Sequence, residues 1–200
     1  MILLPGKEIG SPDVKKHLID IEGGNGSLDY TDYFGEAKYQ DVTHKFPFAT
    51  IVPKSEFLSH FSEVKNALHG KKMEIILDDE PGFFYVGRIY VKPFKNDRAI
   101  GYIDIETECE PFKYKREKTV VSKAVNGTET ITLTNARKHA VPEVNITTST
   151  SLRISYGAGL IWDLGSGSFT LPELELKEGA NPVTVTGTGS ITFTWQEGML

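Results

Sequence analysis

The residues of this 200-residue chain that could do chemistry fall into a few sets, and each can be weighed against what its chemistry demands. Three consecutive carboxylates, Asp78, Asp79 and Glu80, precede Pro81-Gly82. They lack the alternating ligand spacing of a calcium loop, and consecutive turn residues point apart, so a solvated hairpin turn is expected. His44, His60 and His69 are candidate metal ligands by type alone. Zinc-binding histidines on a helix stand four residues apart with a third donor close by; His60 and His69 have neither that spacing nor that company. Cys109 is the single cysteine and sits among Asp104, Glu106, Glu108 and Glu110. Such neighbours raise a thiol pKa, which makes it an inert strand residue, and one cysteine rules out an intrachain disulfide framework. Gly165-Ser166-Gly167-Ser168 comes nearest to a nucleophile elbow but lies in an all-β stretch without the strand-to-helix turn. No Asp or Glu stands in the aromatic, apolar setting that tunes a glycosidase acid. No catalytic residue, cofactor or metal is expected.

The elements that would carry any surface are easier to read. After Ser55 as N-cap, Phe57, Phe61, Val64 and Leu68 recur at helical spacing, and Gly70-Lys71-Lys72 supplies a stop with cations at the C-terminal end. The spacing predicts one helix over about 55–69. The period then changes from 3.6 to 2. Met73–Leu77 and Phe83–Val91 read as strands around the Asp78–Gly82 turn, and Ile103 and Ile105 alternate with Asp104 and Glu106. Phe94–Arg98 reads as a further turn. Upstream, Leu18, Ile19 and Ile21 make a short strand candidate before Glu22-Gly23-Gly24-Asn25-Gly26-Ser27-Leu28-Asp29. That glycine cluster could suggest a phosphate cradle, but no Lys-Ser/Thr and no apolar helix follow, so it reads as a turn. From Tyr39 to Val52, Phe46, Phe48, Thr50 and Val52 alternate with Lys45, Pro47 and Ala49. Pro47 cannot donate to a ladder, which marks an edge strand and hints at pairing between subunits.

Beyond the charged run Lys115-Arg116-Glu117-Lys118 the composition shifts to Thr, Ser, Val and Ile, punctuated by glycines. Seven short alternating runs, from Thr130–Leu133 to Ser190–Trp195, predict an antiparallel sandwich. The expected organisation is mainly β. Residues 1–115 form a sheet or sandwich-like domain with one helix, and 116–200 form an antiparallel β-sandwich. Tyr156, Trp162, Phe169, Phe193 and Trp195 could form a sugar-stacking platform; filling the sandwich core is the better reading. Bulk properties narrow the function classes. A net charge of −5 and a pI near 5.6 give no electrostatic case for nucleic acid or an anionic membrane. No apolar run approaches the roughly 20 residues that span a bilayer. The apolar start, Met1-Ile2-Leu3-Leu4-Pro5, is too short for an export signal.

In order and spacing, these motifs resemble the distal tail (Dit-like) proteins of long-tailed, non-contractile bacteriophages and prophages. Ile21-Glu22-Gly23-Gly24-Asn25-Gly26-Ser27-Leu28-Asp29 is similar to that family's Pro-Gly-x-Asp-Gly-x-Leu-Asp turn, with Glu22 where the family has proline. Tyr39 with Phe46-x-Phe48, then Leu68-His69-Gly70-Lys71, the Asp78-Asp79 turn, Tyr85-x-Gly87-Arg88 and Pro111-Phe112-Lys113-Tyr114 follow in the family's order. The ending Gly179–Gly187 with Ile191-x-Phe193 is similar to its closing strand pair. Asp41-Val42 stand where the family often has Asn-Arg.

The resemblance implies a virion structural protein of the distal tail or baseplate hub, located at the tail tip and assembled in the bacterial host cytoplasm. Six copies would form a ring through the first domain, joining the tail tube to the adsorption apparatus. The second domain would be a galectin- or carbohydrate-module-like sandwich. The implied partners are other copies of the chain, the tail-tube protein, the tail-associated fibre or lysin protein, and receptor-binding proteins. Candidate residues for contacts between copies are Gly24, Gly26, Asp29, Tyr39, Phe46 and Phe48. Trp162 and Tyr156 are candidate sugar contacts for the alternative, a carbohydrate-binding surface module without catalytic activity. A small β-rich hydrolase is the third reading.

Overall fold

The computed structural model describes every residue except Phe34, Arg98 and Ala99, and divides into two compact units. The first holds Met1–Ile76, Tyr85–Pro111 and Leu200; the second holds Leu77–Phe84 and Phe112–Met199.

The first unit contains β1 (Ile2–Leu3), β2 (Leu18–Asp20), β3 (Ser27–Asp29), β4 (Val42–Thr50), α1 (Phe57–Leu68) and β5 (Lys72–Ile75). It also holds most of β6 (Phe83–Val91), β7 (Lys95–Asp97) and most of β8 (Ile100–Lys115). An antiparallel sheet runs in the order β1-β4-β8-β6-β5, with β7 also on β8. Alternation sets its faces. Val42, His44, Phe46, Ile103, Ile105, Cys109, Ile89 and Val91 are buried, while Lys45, Asp104 and Glu106 lie on the wet side. Of the stretch Phe94–Arg98 read as a turn, Lys95–Asp97 is a strand and Arg98 lies outside the described residues.

The helix forms where the apolar spacing places it. Phe57 and Val64 are buried, Phe61 and Leu68 are half-buried, and Phe57 and Phe61 face the Phe94 ring at 5.8 and 5.6 Å. Its start differs from expectation: Ser55 lies in a short 3-10 turn, Lys54–Glu56, and Glu56 holds the cap position without a side-chain hydrogen bond. Its end follows the stop signal. Gly70 takes φ +80°, and its N–H donates to the Ile89 carbonyl at 2.7 Å, which ties the helix terminus to β6.

The second unit contains β9 (Thr119–Asn135), β10 (Glu143–Thr148), β11 (Leu152–Tyr156), β12 (Leu160–Leu164), β13 (Gly167–Thr170), β14 (Gly179–Trp195) and β15 (Gly198–Met199). β9 and β14 pair over 17 residues each, from Gly179 opposite Asn135 to Trp195 opposite Thr119. On its other flank β14 pairs with β11 through Val183–Thr186 and with β10 through Gly189–Thr194. One long ribbon thus serves two sub-sheets, β11-β12 and β10-β13, and closes them around a common core. Odd positions of β14 from Asn181 to Trp195 face inward, with Val144, Ile146, Leu152, Ile154 and Leu174 opposite. Even positions carry Thr and Ser hydroxyls that bond across the ribbon, as Ser122 with Thr192 at 2.8 Å. The runs Pro182–Thr186 and Ser190–Trp195, read as two strands, are one, because Gly187 and Gly189 stay paired in the ladder, opposite Gly127 and Val125. The architecture is mainly β with a sandwich, as expected.

Candidate functional site

Among the described residues no three His, Cys, Asp or Glu side chains form a metal-binding cluster. The clearest charged cleft, about 400 Å³, lies on the wet face of the first unit's sheet beside Glu8, Lys45, Lys92, Asp104 and Glu106. Its charges cancel in pairs: Lys45 with Glu8 at 2.8 Å, Lys92 with Glu106 at 2.5 Å and Lys95 with Asp104 at 3.2 Å. Paired, solvent-washed side chains of this kind leave little net charge to draw a ligand.

The surface that stands out is apolar. β2 and β3 form a two-stranded hairpin in which every residue of both strands is exposed. Leu18 is 54 % and Ile19 51 % exposed, and Ile21 and Leu28 are also open to solvent. Ile19 stands opposite Leu28 across the ladder, and Ser27 donates to Asp20 at 2.7 Å. The Ile21–Gly26 turn needs glycine at positive φ at Gly23 and Gly26, and the Gly24 N–H closes it on the Ile21 carbonyl at 3.1 Å. Asp29 ends the hairpin. Its carboxylate accepts from Thr31, whose bonds hold its pKa below the usual carboxylate value. A lone hairpin of this size is marginal in water, and apolar area of this kind marks a contact surface. Among the described residues, most large apolar side chains left exposed belong to the first unit, including Ile2, Leu3, Ile51 and Leu58.

The six residues expected at contacts between copies fall into two groups. Gly24, Gly26 and Asp29 shape the hairpin. Tyr39, half-buried, bridges Val14; Phe48, half-buried, pairs with Leu3 and Ile103; Phe46 is only 8 % exposed, so its ring belongs to the core. The open edge expected along Tyr39–Val52 is not open. The chain's own N-terminal segment covers it: Leu4 N–H donates to the Pro47 carbonyl at 2.8 Å, and Glu8 and Lys45 exchange two backbone bonds at 2.9 Å. The N–H that Pro47 lacks would face this same flank, where Pro5-Gly6 turns away.

In the second unit, Trp162 on β12 is half-buried, packs against the sandwich core and stands opposite Ile154. The Tyr156 hydroxyl lies 2.7 Å from the Glu175 carbonyl and 3.0 Å from Asn181 Oδ1, so its one proton is already engaged. Burial pushes that hydroxyl's pKa up. In the sequence Leu18, Ile19 and Ile21 read as a short strand candidate and Leu28 as part of the turn that follows. Their one legible signal is that four large aliphatics, Leu18, Ile19, Ile21 and Leu28, flank a glycine turn.

No protein-family model matches the chain, and no curated protein matches it in sequence. Among solved structures it is similar to the crystal structure of the SPP1 Dit (gp 19.1) protein, described as a paradigm of the hub adsorption apparatus in phages infecting Gram-positive hosts. The TM-score is 0.68 at 16% identity, over 99% of this chain and 94% of that one. The fold is Dit-like.

Proposed function

We propose that this chain is a structural component of a bacteriophage tail, a distal-tail or baseplate hub protein that works by assembling with copies of itself. The observation that carries the reading is the exposed β2–β3 hairpin, borne by a chain whose whole length follows a Dit-like fold. A hairpin that leaves about half of each of Leu18, Ile19, Ile21 and Leu28 in water gains stability by burying that remainder elsewhere, at about 25 cal/mol per Å² of apolar area. In a ring, one patch meets a different patch on the next copy, and closure leaves no copy with an unsatisfied hairpin. On this reading residues 1–115 build the ring, taken as six copies, and 116–200 form the second, sandwich domain. The ring joins the tail tube to the tip apparatus, with the tail-tube protein, the fibre or lysin protein and receptor-binding proteins as neighbours. Assembly takes place in the host cytoplasm.

Electron microscopy of the purified full chain, alone and mixed with the tail-tube protein from the same genome, tests this. Closed rings that stack on tube ends are expected. Single particles of one chain under every condition would contradict it.

A further inference from the structure

We propose that His44 is a pH-operated latch that holds the N-terminal segment, residues 1–14, along the outer edge of β4 and lets it go in acid. This goes beyond the ring reading and does not depend on it.

None of residues 1–14 is buried, so the segment has little apolar anchorage. It lies on β4 through backbone bonds, Leu4 to Pro47 and the Glu8–Lys45 pair, and just ahead of β4 through the bridge from Val14 to Tyr39. It is tied into the core by the Gly10 N–H, which donates to His44 Nδ1 at 3.1 Å. Gly10 is pressed against the Thr43 carbonyl and the Val42 side chain, where a Cβ has no room. That close approach lets a backbone N–H reach an imidazole that is 0 % exposed.

Since Nδ1 accepts, the ring is neutral with its proton on Nε2, and Nε2 meets no acceptor. A second proton would turn Nδ1 into a donor facing the Gly10 donor. It would also place a charge where nothing balances it. On β8 Thr107 stands opposite His44 in register and accepts from the Cys109 thiol; on β6 the ring meets the Tyr85 ring edge at 4.5 Å, and on β4 Phe46. The segment's Glu8 is ion-paired to Lys45 on the other face, and Asp41 and Glu110 act on Cys109. Burial holds the His44 pKa below its ordinary value.

With the segment lifted, water reaches the ring and its pKa returns towards about 6.5. The folded pKa is the lower of the two, so the latch is fully closed above about 6.5 and loosens as pH falls towards the depressed value. Each pKa unit between the two states shifts opening about tenfold.

Amide exchange by NMR on the full chain, expressed as protection factors to remove the intrinsic pH dependence, reads this directly. Between about pH 7.5 and 5, protection at Glu8, Gly10 and Lys45 should fall, by about tenfold for each unit that separates the two pKa values, while Ile103 and Ile105 keep theirs. His44→Gln, whose amide oxygen accepts from Gly10 but does not titrate, should show a flat profile. Segment protection that ignores pH in the wild type, falls equally in His44→Gln, or disappears together with the core would overturn the proposal. Should His44→Gln fail to fold, the wild-type ring titration decides. A His44 midpoint matching segment release supports the latch, and midpoints more than about one pH unit apart refute it.

Discussion

Gly127 of β9 and Gly187 of β14 are register partners in the long ribbon, and both take positive φ, 97° and 139°. They do different work. A Cβ on Gly187 would sit 2.7 Å from Leu152 Cδ2 and 2.9 Å from the Ser151 carbonyl, whereas one on Gly127 would meet nothing within 4 Å. Gly187→Ala therefore combines backbone strain with a clash and should cost about 3 kcal/mol, against about 1 kcal/mol for Gly127→Ala. Chemical denaturation of the two variants checks this. Equal losses would mean that the start of β11 at Leu152 yields to the added methyl group.

Asn181 is 4 % exposed at the start of β14, and its amide is fully used. Nδ2 donates to the carbonyls of Leu133, Lys177 and Gly179, and Oδ1 accepts from Lys177 N–H at 2.9 Å. Asn181→Leu leaves several of these groups buried without partners and should lower stability by about 3 kcal/mol or more. Tyr156→Phe removes only one donor from the same cluster and should cost about 1 kcal/mol. Thermal melts of both variants supply the comparison, and a Tyr156 loss as large as that of Asn181 would reverse the ranking.

Cys109 lies 1 % exposed behind Gly87, and burial is the main cause that pushes its thiol above the ordinary value. Less thiolate at a given pH and no access mean slow alkylation. In the native chain at pH 8, a thiol reagent should modify Cys109 at least about a hundredfold more slowly than in denaturant, following the opening equilibrium. Prompt stoichiometric labelling of the native chain would contradict the packing described around Gly87.

The sequence made some of this legible and hid the rest for identifiable reasons. Phe57, Phe61, Val64 and Leu68 announce α1 because a 3.6-residue period has no other explanation, and Gly70 announces its end. The buried faces of β4 and β8 follow from strict alternation. The long ribbon was invisible because Gly127, Gly187 and Gly189 look like turn residues. Only the unbroken register from Gly179 opposite Asn135 to Trp195 opposite Thr119 shows that they lie within one continuous ladder. Pro47 correctly marked an interrupted flank of β4. That the N-terminal segment fills this flank rests on bonds over some forty residues of separation, such as Leu4 to Pro47, which no local pattern encodes. His44 read only as a poor metal ligand, since its partner is the backbone of Gly10.

The most direct test of the central claim is light scattering on the full chain with and without Ile19→Asp plus Leu28→Asp. These two facing hairpin residues are exposed, so the changes should leave the fold intact, which circular dichroism verifies. The account predicts a closed multimer for the wild type and a folded single chain for the double variant. A wild type that stays monomeric at high concentration, or a double variant that assembles as well as the wild type, would contradict it.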